Sequence, residues 1–380
     1  MKFLIVGHVV HKLINGKIYA YGPYVREMNL WIKYVDEVII LAPFTSLHPK
    51  DPIDIPFDHE NITLAPVKEF NTTSISSKIQ TVINLPGILL KTWNAMKRAD
   101  HIHLRCPGNM GLVGSLVQGF FPKKVKTAKY AGNWDKSSSQ PYTYKLQQKI
   151  LGNTNWTKNM AVLVYGEWPN ESKNIRPFFT ASYSEKEIKV IEPRALSRKT
   201  PIKFMFVGTL DTGKQPLLSI QVCQRLLNSG WNVRLDLYGE GELRSDLQEY
   251  IIKNKLADSI QLHGNQPAEK VKIAYQEAHF LIFISRSEGW PKAVAEAMFW
   301  GCLPVTTAVS CVPQMLGFGE RGELVEPNVD EVVQRIENLA TNESLYKKKV
   351  IAGINWSQQY TLESFEEEIK NLLENQPLEA

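Results

Sequence analysis

Two Rossmann-like α/β domains are the architecture the sequence predicts, on three observations. From residue 202 onward, short apolar runs alternate with helical stretches, the pattern of a doubly wound parallel sheet. The first half has the same character with longer insertions. The 380 residues, at roughly 150 per domain, make two to three domains the expected count.

The elements follow in order. Residues 2–6 (Lys-Phe-Leu-Ile-Val), closed by Gly7, read as a buried first strand. Gly22-Pro23 opens a helix through Tyr34, and residues 37–41 form a second strand. Residues 43–60, dense in proline, aspartate and histidine, read as loop. A long helical stretch at 76–98 leads to a strand at 101–104. Residues 110–120 are apolar nearly all round and predict a buried helix, with further strands at 126–130 and 160–164. The polar stretch 184–200 reads as an interdomain linker. Strands then fall at 202–207, 233–238, 259–263, 279–285 and 303–306. Helices fall at 215–228, 242–255, 268–277, 291–300 and 328–353. The expected domains are 1–190 and 191–355, followed by a C-terminal helix in 356–380.

Composition narrows the class. With 43% hydrophobic, 10% aromatic and 22% charged residues, the chain is neither a disordered tail, a collagen nor a coiled-coil rod. The net charge of +5 (44 basic minus 39 acidic residues) is below that of a dedicated nucleic-acid binder. It is compatible with phosphate-bearing substrates or an anionic membrane surface. Cys106, Cys223, Cys302 and Cys311 fit neither metal-binding pairs nor a disulfide framework, which points to a reducing compartment. The N-terminal apolar run is too short for a secretory signal, and no window of eighteen uncharged apolar residues occurs. A soluble, cytoplasmic protein is expected.

In a parallel open sheet, ligands bind at the carboxyl ends of the strands. The most informative strand-to-helix loop is Ser285-Arg286-Ser287-Glu288-Gly289-Trp290-Pro291-Lys292. Pro291 suits a first helical position, and the helix N-terminus behind it is suited to an anion. Glu296 follows Glu288 by eight residues. The spacing alone is uninformative, because it recurs at Glu269/Glu277, Glu323/Glu331 and Glu366/Glu374. Only the strand–Gly–Pro–helix context separates Glu288/Glu296, and both a ligand site and a helix cap fit it. The loop Gly208-Thr209-Leu210-Asp211-Thr212-Gly213-Lys214 lacks the phosphate-loop and dinucleotide patterns. A glycine turn with a solvated lysine fits it as well as a phosphate site does. The turn Tyr238-Gly239-Glu240-Gly241 closes the next strand. His101 and His103 share one face of a strand without an acidic or cysteine partner at ligand spacing, so no metal site is expected and a hydrogen-bonded structural histidine fits His103. Phe120-Phe121 followed by Lys123, Lys124 and Lys126 fits a solvated loop or a contact with anionic lipid.

Residues 287–305 (Ser-Glu-Gly-Trp-Pro-Lys-Ala-Val-Ala-Glu-Ala-Met-Phe-Trp-Gly-Cys-Leu-Pro-Val) resemble the glutamate-x7-glutamate signature of the retaining GT-B glycosyltransferases of family 4. Residues 207–214 resemble that family's G-R-L-x-x-x-K-G loop, 238–241 its (V/Y)-G-x-G turn, and 100–105 its D-x-x-H-x-H/R segment. The resemblance is specific in the second half and fold-level over 1–190. It implies two Rossmann-like domains facing across a cleft: an acceptor-side N-terminal domain and a nucleotide-sugar-binding C-terminal domain. It also implies a final helix returning to the first.

Carried over by position, the resemblance gives Glu296 the donor's ribose hydroxyls. It gives Glu288 and the backbone of Gly289, Trp290, Pro291 and Lys292 the sugar and phosphates. Lys214 would neutralise the departing phosphate, with Gly208, Thr209 and Gly239 alongside. His103 and Arg105 would lie near the transferred sugar and acceptor, and Gly22 at the N-terminal glycine loop. Two positions depart from the pattern: Thr209 stands where arginine is usual, and Gln215 where glycine is usual. No Asp-x-Asp occurs, so a metal-independent transfer without a cofactor is expected, from a nucleoside-diphosphate sugar to a glycan or lipid-linked acceptor. The implied setting is bacterial surface polysaccharide synthesis, with peripheral contact at the inner membrane. The alternative on the same architecture is a nucleotide-sugar epimerase, and a sugar-binding protein without catalysis is the remaining one.

Overall fold

The structure is a computed structural model that describes residues 1–45, 51, 53–68, 75–196 and 200–374, without the side chains of 75–82. The chain divides into two units: Met1–Phe178 joined by the chain from Glu366, and Phe179–Phe365.

The first unit contains strands β1 (Lys2–Val6), β2 (His11–Ile14), β3 (Lys17–Tyr21), β4 (Glu37–Thr45), β5 (Asp54–Pro56), β6 (Ile62–Val67), β7 (His101–Cys106), β8 (Val125–Tyr130), β9 (Met160–Tyr165) and β10 (Ile175–Phe178). A parallel run is ordered β6-β4-β1-β7-β8-β9-β10, and β2, β3 and β5 continue from β4. β1 is central, with Ile5 level with Ile40 on one side and His103 on the other. Phe3, Leu4, Ile5 and Val6 have no exposed surface. Burial on both faces is why that strand is apolar throughout instead of alternating. Its core joins Leu4, Val6, Ile39, Leu41, Ile102, Leu104 and Val162 under helices Ile75–Arg98 and Asn109–Val117.

The second unit holds β11 (Ile202–Val207), β12 (Val233–Tyr238), β13 (Ile260–Gly264), β14 (Phe280–Phe283), β15 (Leu303–Thr307) and β16 (Glu323–Val325). All pairs are parallel and the order is β13-β12-β11-β14-β15-β16. The winding direction reverses between β11 and β14, where a ligand crevice opens in such sheets. Helices Pro216–Asn228, Arg244–Lys253, Ala268–Glu277 and Lys292–Phe299 connect the strands, and Val329–Thr341 and Glu343–Ser357 follow. Helix Leu362–Glu374 groups with the first unit from Glu366 on, where that carboxylate takes the Lys33 ammonium and the Tyr34 hydroxyl.

Several expectations need correction. The loop read over 43–60 carries the end of β4 and all of β5; 46–50 and 52 lie outside the described residues. β2 and β3 form an unexpected hairpin about Asn15-Gly16, both with positive φ (50° and 76°), as a tight two-residue hairpin turn requires. The helix read as 328–353 is two helices. Asn342 leaves the helical region, and its side chain caps the second by accepting the Leu345 N–H at 3.1 Å. The stretch read as linker, of which 197–199 lie outside the described residues, includes a firm anchor. Arg194 donates to the carbonyls of Tyr275, Gln276, Trp300 and Gly301 at 2.6–3.1 Å, closing two helix C-termini with a cation. Lys126, read as part of an exposed basic run, is 1% exposed. Its ammonium is spent on Gln118 Oε1 (2.8 Å) and the Phe121 carbonyl (3.1 Å).

Candidate functional site

Three loops at the carboxyl ends of β11, β12 and β14 pack against one another. The Gly208 N–H donates to the Tyr238 carbonyl (3.0 Å) and the Leu210 N–H to that of Glu240 (3.0 Å). A Cβ on Gly239, where φ is +139°, would lie 1.9 Å from the Gly208 carbonyl oxygen, so only glycine fits there. Asp211 Oδ1 accepts the N–H groups of Gly213 (2.8 Å) and Lys214 (2.9 Å), a side-chain turn that shapes the loop. The Gly213 carbonyl takes the Arg286 N–H at 2.9 Å and ties this loop to the one after β14. Thr209 is exposed on the same loop.

Lys214 and Glu288 form an ion pair across these loops, with side chains 25% and 7% exposed. The ammonium also lies 5.0 Å from the centroid of the Phe283 ring. Part burial strengthens such a pair relative to a surface one, and it leaves the lysine accessible to an incoming anion. Gln215, next in the chain, is left-handed at φ +49°. Its side chain donates to the Ile284 carbonyl (3.2 Å) and accepts from Arg286 Nε (3.2 Å). Gln215 thus holds a left-handed backbone that glycine adopts without strain, and its side chain links two loops.

The helix after β14 begins at Lys292, and Pro291 is its N-cap instead of its first helical residue. The Pro291 carbonyl takes the N–H groups of Val294 (2.9 Å) and Ala295 (3.4 Å). Gly289 accepts the Cys311 thiol at 3.2 Å. Trp290 stacks on Trp356 at 6.1 Å and meets Tyr360 edge-on at 5.8 Å. Glu296 lies one helix turn beyond Lys292 and accepts from the Ser182 hydroxyl at 2.5 Å. The decoy carboxylates differ from it: Glu269 pairs with Lys272, Glu277 with Lys203, Glu323 with Lys349, Glu331 with Arg335, Glu366 with Lys33 and Glu374 with Lys370. Among the described residues, Glu296 has no such cation. Ser182 has no motif around it and was not expected.

Gly22, His103 and Arg105 belong to the first unit. His103 is fully buried, packed on Trp31 (4.4 Å) and Phe3 (5.6 Å), and shares the Thr127 hydroxyl with His101 at 2.8 and 2.9 Å. Burial holds its pKa well below the ordinary value. This corrects the expectation for His103: its neutral ring is core packing and touches no surface. Arg105, with 11% of its side chain exposed, pairs with Glu27, which also takes Lys129 at 3.2 Å. Gly22 starts a helix against the Ile53 carbonyl, which a Cβ would approach to 2.5 Å, so packing accounts for that glycine.

Residues 187–356 match the family model of the glycosyl transferases group 1. The matched stretch lies within the second unit, which is thus similar to the glycosyl transferases group 1. The chain is 29% identical over 134 residues to a putative colanic acid biosynthesis glycosyltransferase, WcaL, of Salmonella typhimurium, covering 34% of this chain and 33% of that one. It therefore spans about a third of the length of the curated relatives it matches. Among solved structures it is similar over nearly its whole length to Anabaena HepE in complex with UDP and glucose (TM-score 0.69, 12% identity, 99% and 100% covered). It is similar also to the sucrose-phosphate synthase of Thermosynechococcus elongatus (TM-score 0.65, 18% identity, 98% of each chain). These likenesses establish the GT-B fold expected from the glycosyltransferase signature, and the epimerase alternative finds no support among these proteins.

Proposed function

We propose that the chain transfers a sugar from a nucleoside diphosphate to a glycan or lipid-linked acceptor in polysaccharide synthesis, as a retaining, family 4 enzyme. The observation that carries this reading is the accessible Lys214–Glu288 pair at the winding reversal of the second sheet, inside the stretch that matches the group 1 family. Departure of a nucleoside diphosphate places charge on phosphate oxygens, and a fixed cation aimed there lowers the barrier. Lys214 supplies that cation, exchanging Glu288 for phosphate, so no metal is required. Glu288 and the backbone of 289–292 then hold the sugar, and Glu296 holds the ribose. Arg105 is the acceptor-side residue of this reading that retains exposed surface.

A panel of UDP-, GDP- and ADP-sugars in a thermal-unfolding assay tests the donor class. At a hundred times its Kd, a donor adds about 2.7 kcal/mol to stability, several degrees for a unit of this size. One nucleotide is expected to raise the midpoint; no rise with any of the three contradicts the reading.

A lipid surface is the second partner proposed, for the first unit. Leu90 (62%) and Trp93 (41%) on helix Ile75–Arg98 are exposed, as are Phe120 (60%) and Trp156 (37%). Trp93 lies 5.5 Å from Phe120, which lies 5.3 Å from Trp156. Lys91, Lys97 and Arg98 of the same helix and Lys123, three residues after Phe120, are also exposed, and aromatic residues with basic ones suit anionic headgroups. Among the described residues no helix is long and apolar enough to cross a membrane.

A further inference from the structure

Glu296 is held from a stretch of chain that precedes the matched domain. Phe179 packs edge-on against Tyr360 (4.9 Å) and Phe365 (5.7 Å). Tyr183 packs on Phe299 (4.9 Å) and Trp300 (5.2 Å), and its carbonyl takes the Leu362 N–H at 2.9 Å. The Ser184 hydroxyl and the Glu185 N–H then hold the two oxygens of Glu363 at 2.6 and 2.8 Å. Residues 179–185 are thus anchored on both sides of Ser182, and its hydroxyl reaches Glu296 Oε1 from a fixed frame. The two residues line one pocket with Thr180, Lys292 and Tyr360. The fully buried Tyr275 phenol is beside the same carboxylate; burial first, and the Glu296 charge next, hold it well above the ordinary tyrosine range.

A carboxylate with no cation partner would lose rotamer freedom on gripping a ligand, and a hydrogen bond that sets its orientation beforehand removes that cost. We propose that Ser182 is a positioning residue for Glu296: its hydroxyl fixes Oε1 and turns Oε2 toward the ribose hydroxyls of the nucleotide. The proposal rests on the nucleotide-sugar reading of the site. It names a residue outside the domain that the family model covers.

Calorimetric titration of UDP, GDP and ADP into the wild type, Ser182→Ala, Ser182→Thr, Glu296→Ala and the Ser182→Ala/Glu296→Ala double variant tests it. Ser182→Ala is expected to weaken the nucleotide that the wild type binds about five- to tenfold, the scale of one hydrogen bond. Ser182→Thr, which keeps the hydroxyl, should restore binding to within about twofold. The loss should vanish when Glu296 is already alanine, because a residue acting through Glu296 has nothing left to position. With the 2′,3′-dideoxy nucleotide, Ser182→Ala and the wild type should bind alike. Equal binding by Ser182→Ala and wild type overturns the proposal. So does an equal loss in the Glu296→Ala background, or an undiminished loss with the dideoxy nucleotide. If the wild type binds none of the three nucleotides, the nucleotide-sugar reading itself falls.

Discussion

Gln215 adopts a left-handed backbone at φ +49° while its side chain joins the Ile284 carbonyl to Arg286. Replacement separates the two effects. Gln215→Ala and Gln215→Gly lose the same side-chain bonds, but only alanine keeps the strain of the left-handed region, about 1 kcal/mol. The alanine variant should therefore melt about 2–4 °C below the glycine variant, the reverse of the order in a helix; the two melting points are the check, and equal or inverted values contradict the strain. At this scale the sequence was informative where chemistry is local. The strand–Gly–Pro–helix context drew attention to Glu288 and the family resemblance to Lys214, and the structure pairs the two. For His103 the role carried over from the resemblance fails because a motif says nothing about depth, and β1 and Trp31 enclose that ring. Ser182 was illegible because its partner is 114 positions away.

Secondary structure was legible where apolar runs were bounded by clear turns, as in β11 through β15, and less so where signals competed. The Asn15-Gly16 hairpin carried its own turn signal, a two-residue turn between residues of strand character, and went unread. In β5 and β6 the prolines mask the pattern: Pro56 and Pro66 fall at the edge of the sheet, where a missing N–H is tolerated. One uninterrupted helical period hid the break at Asn342. Helix Ile75–Arg98, the turn Gln118–Phe120 and Trp156 together give the aromatic patch, and the buried Lys126 holds the Gln118 and Phe121 carbonyls at the turn. Binding to vesicles with anionic lipid should fall as salt rises, since exposed charges are screened beyond about 10 Å at 0.1 M. Phe120→Ser should weaken it further. Sedimentation with vesicles checks both, and equal binding to neutral and anionic vesicles contradicts the charge contribution.

Both units repeat one plan, a parallel sheet wound in two directions from a central first strand, and the alternation of apolar runs and helices made it legible. Both also bury neutral histidines. Burial lowers His11 and His101 in the first unit and His279 in the second to about 4. A lowered folded-state value means the unfolded chain takes the proton first. The stability is therefore complete above about pH 6.5 and is lost as pH falls toward 4. Each histidine should cost on the order of 1–2 kcal/mol by pH 5, seen as a falling melting point between pH 7 and 5; a flat profile contradicts it. The central claim is that the protein itself, through Lys214, supplies the cation that the departing diphosphate needs. Donor turnover in excess EDTA, measured as nucleoside-diphosphate release by the wild type and Lys214→Ala, tests it most directly. The wild type should be unaffected by the chelator. Lys214→Ala should lose about a hundred- to a thousandfold in turnover with a much smaller loss of donor affinity. Near-normal turnover by Lys214→Ala, or wild-type activity abolished by EDTA and restored by Mg²⁺ or Mn²⁺, would contradict it.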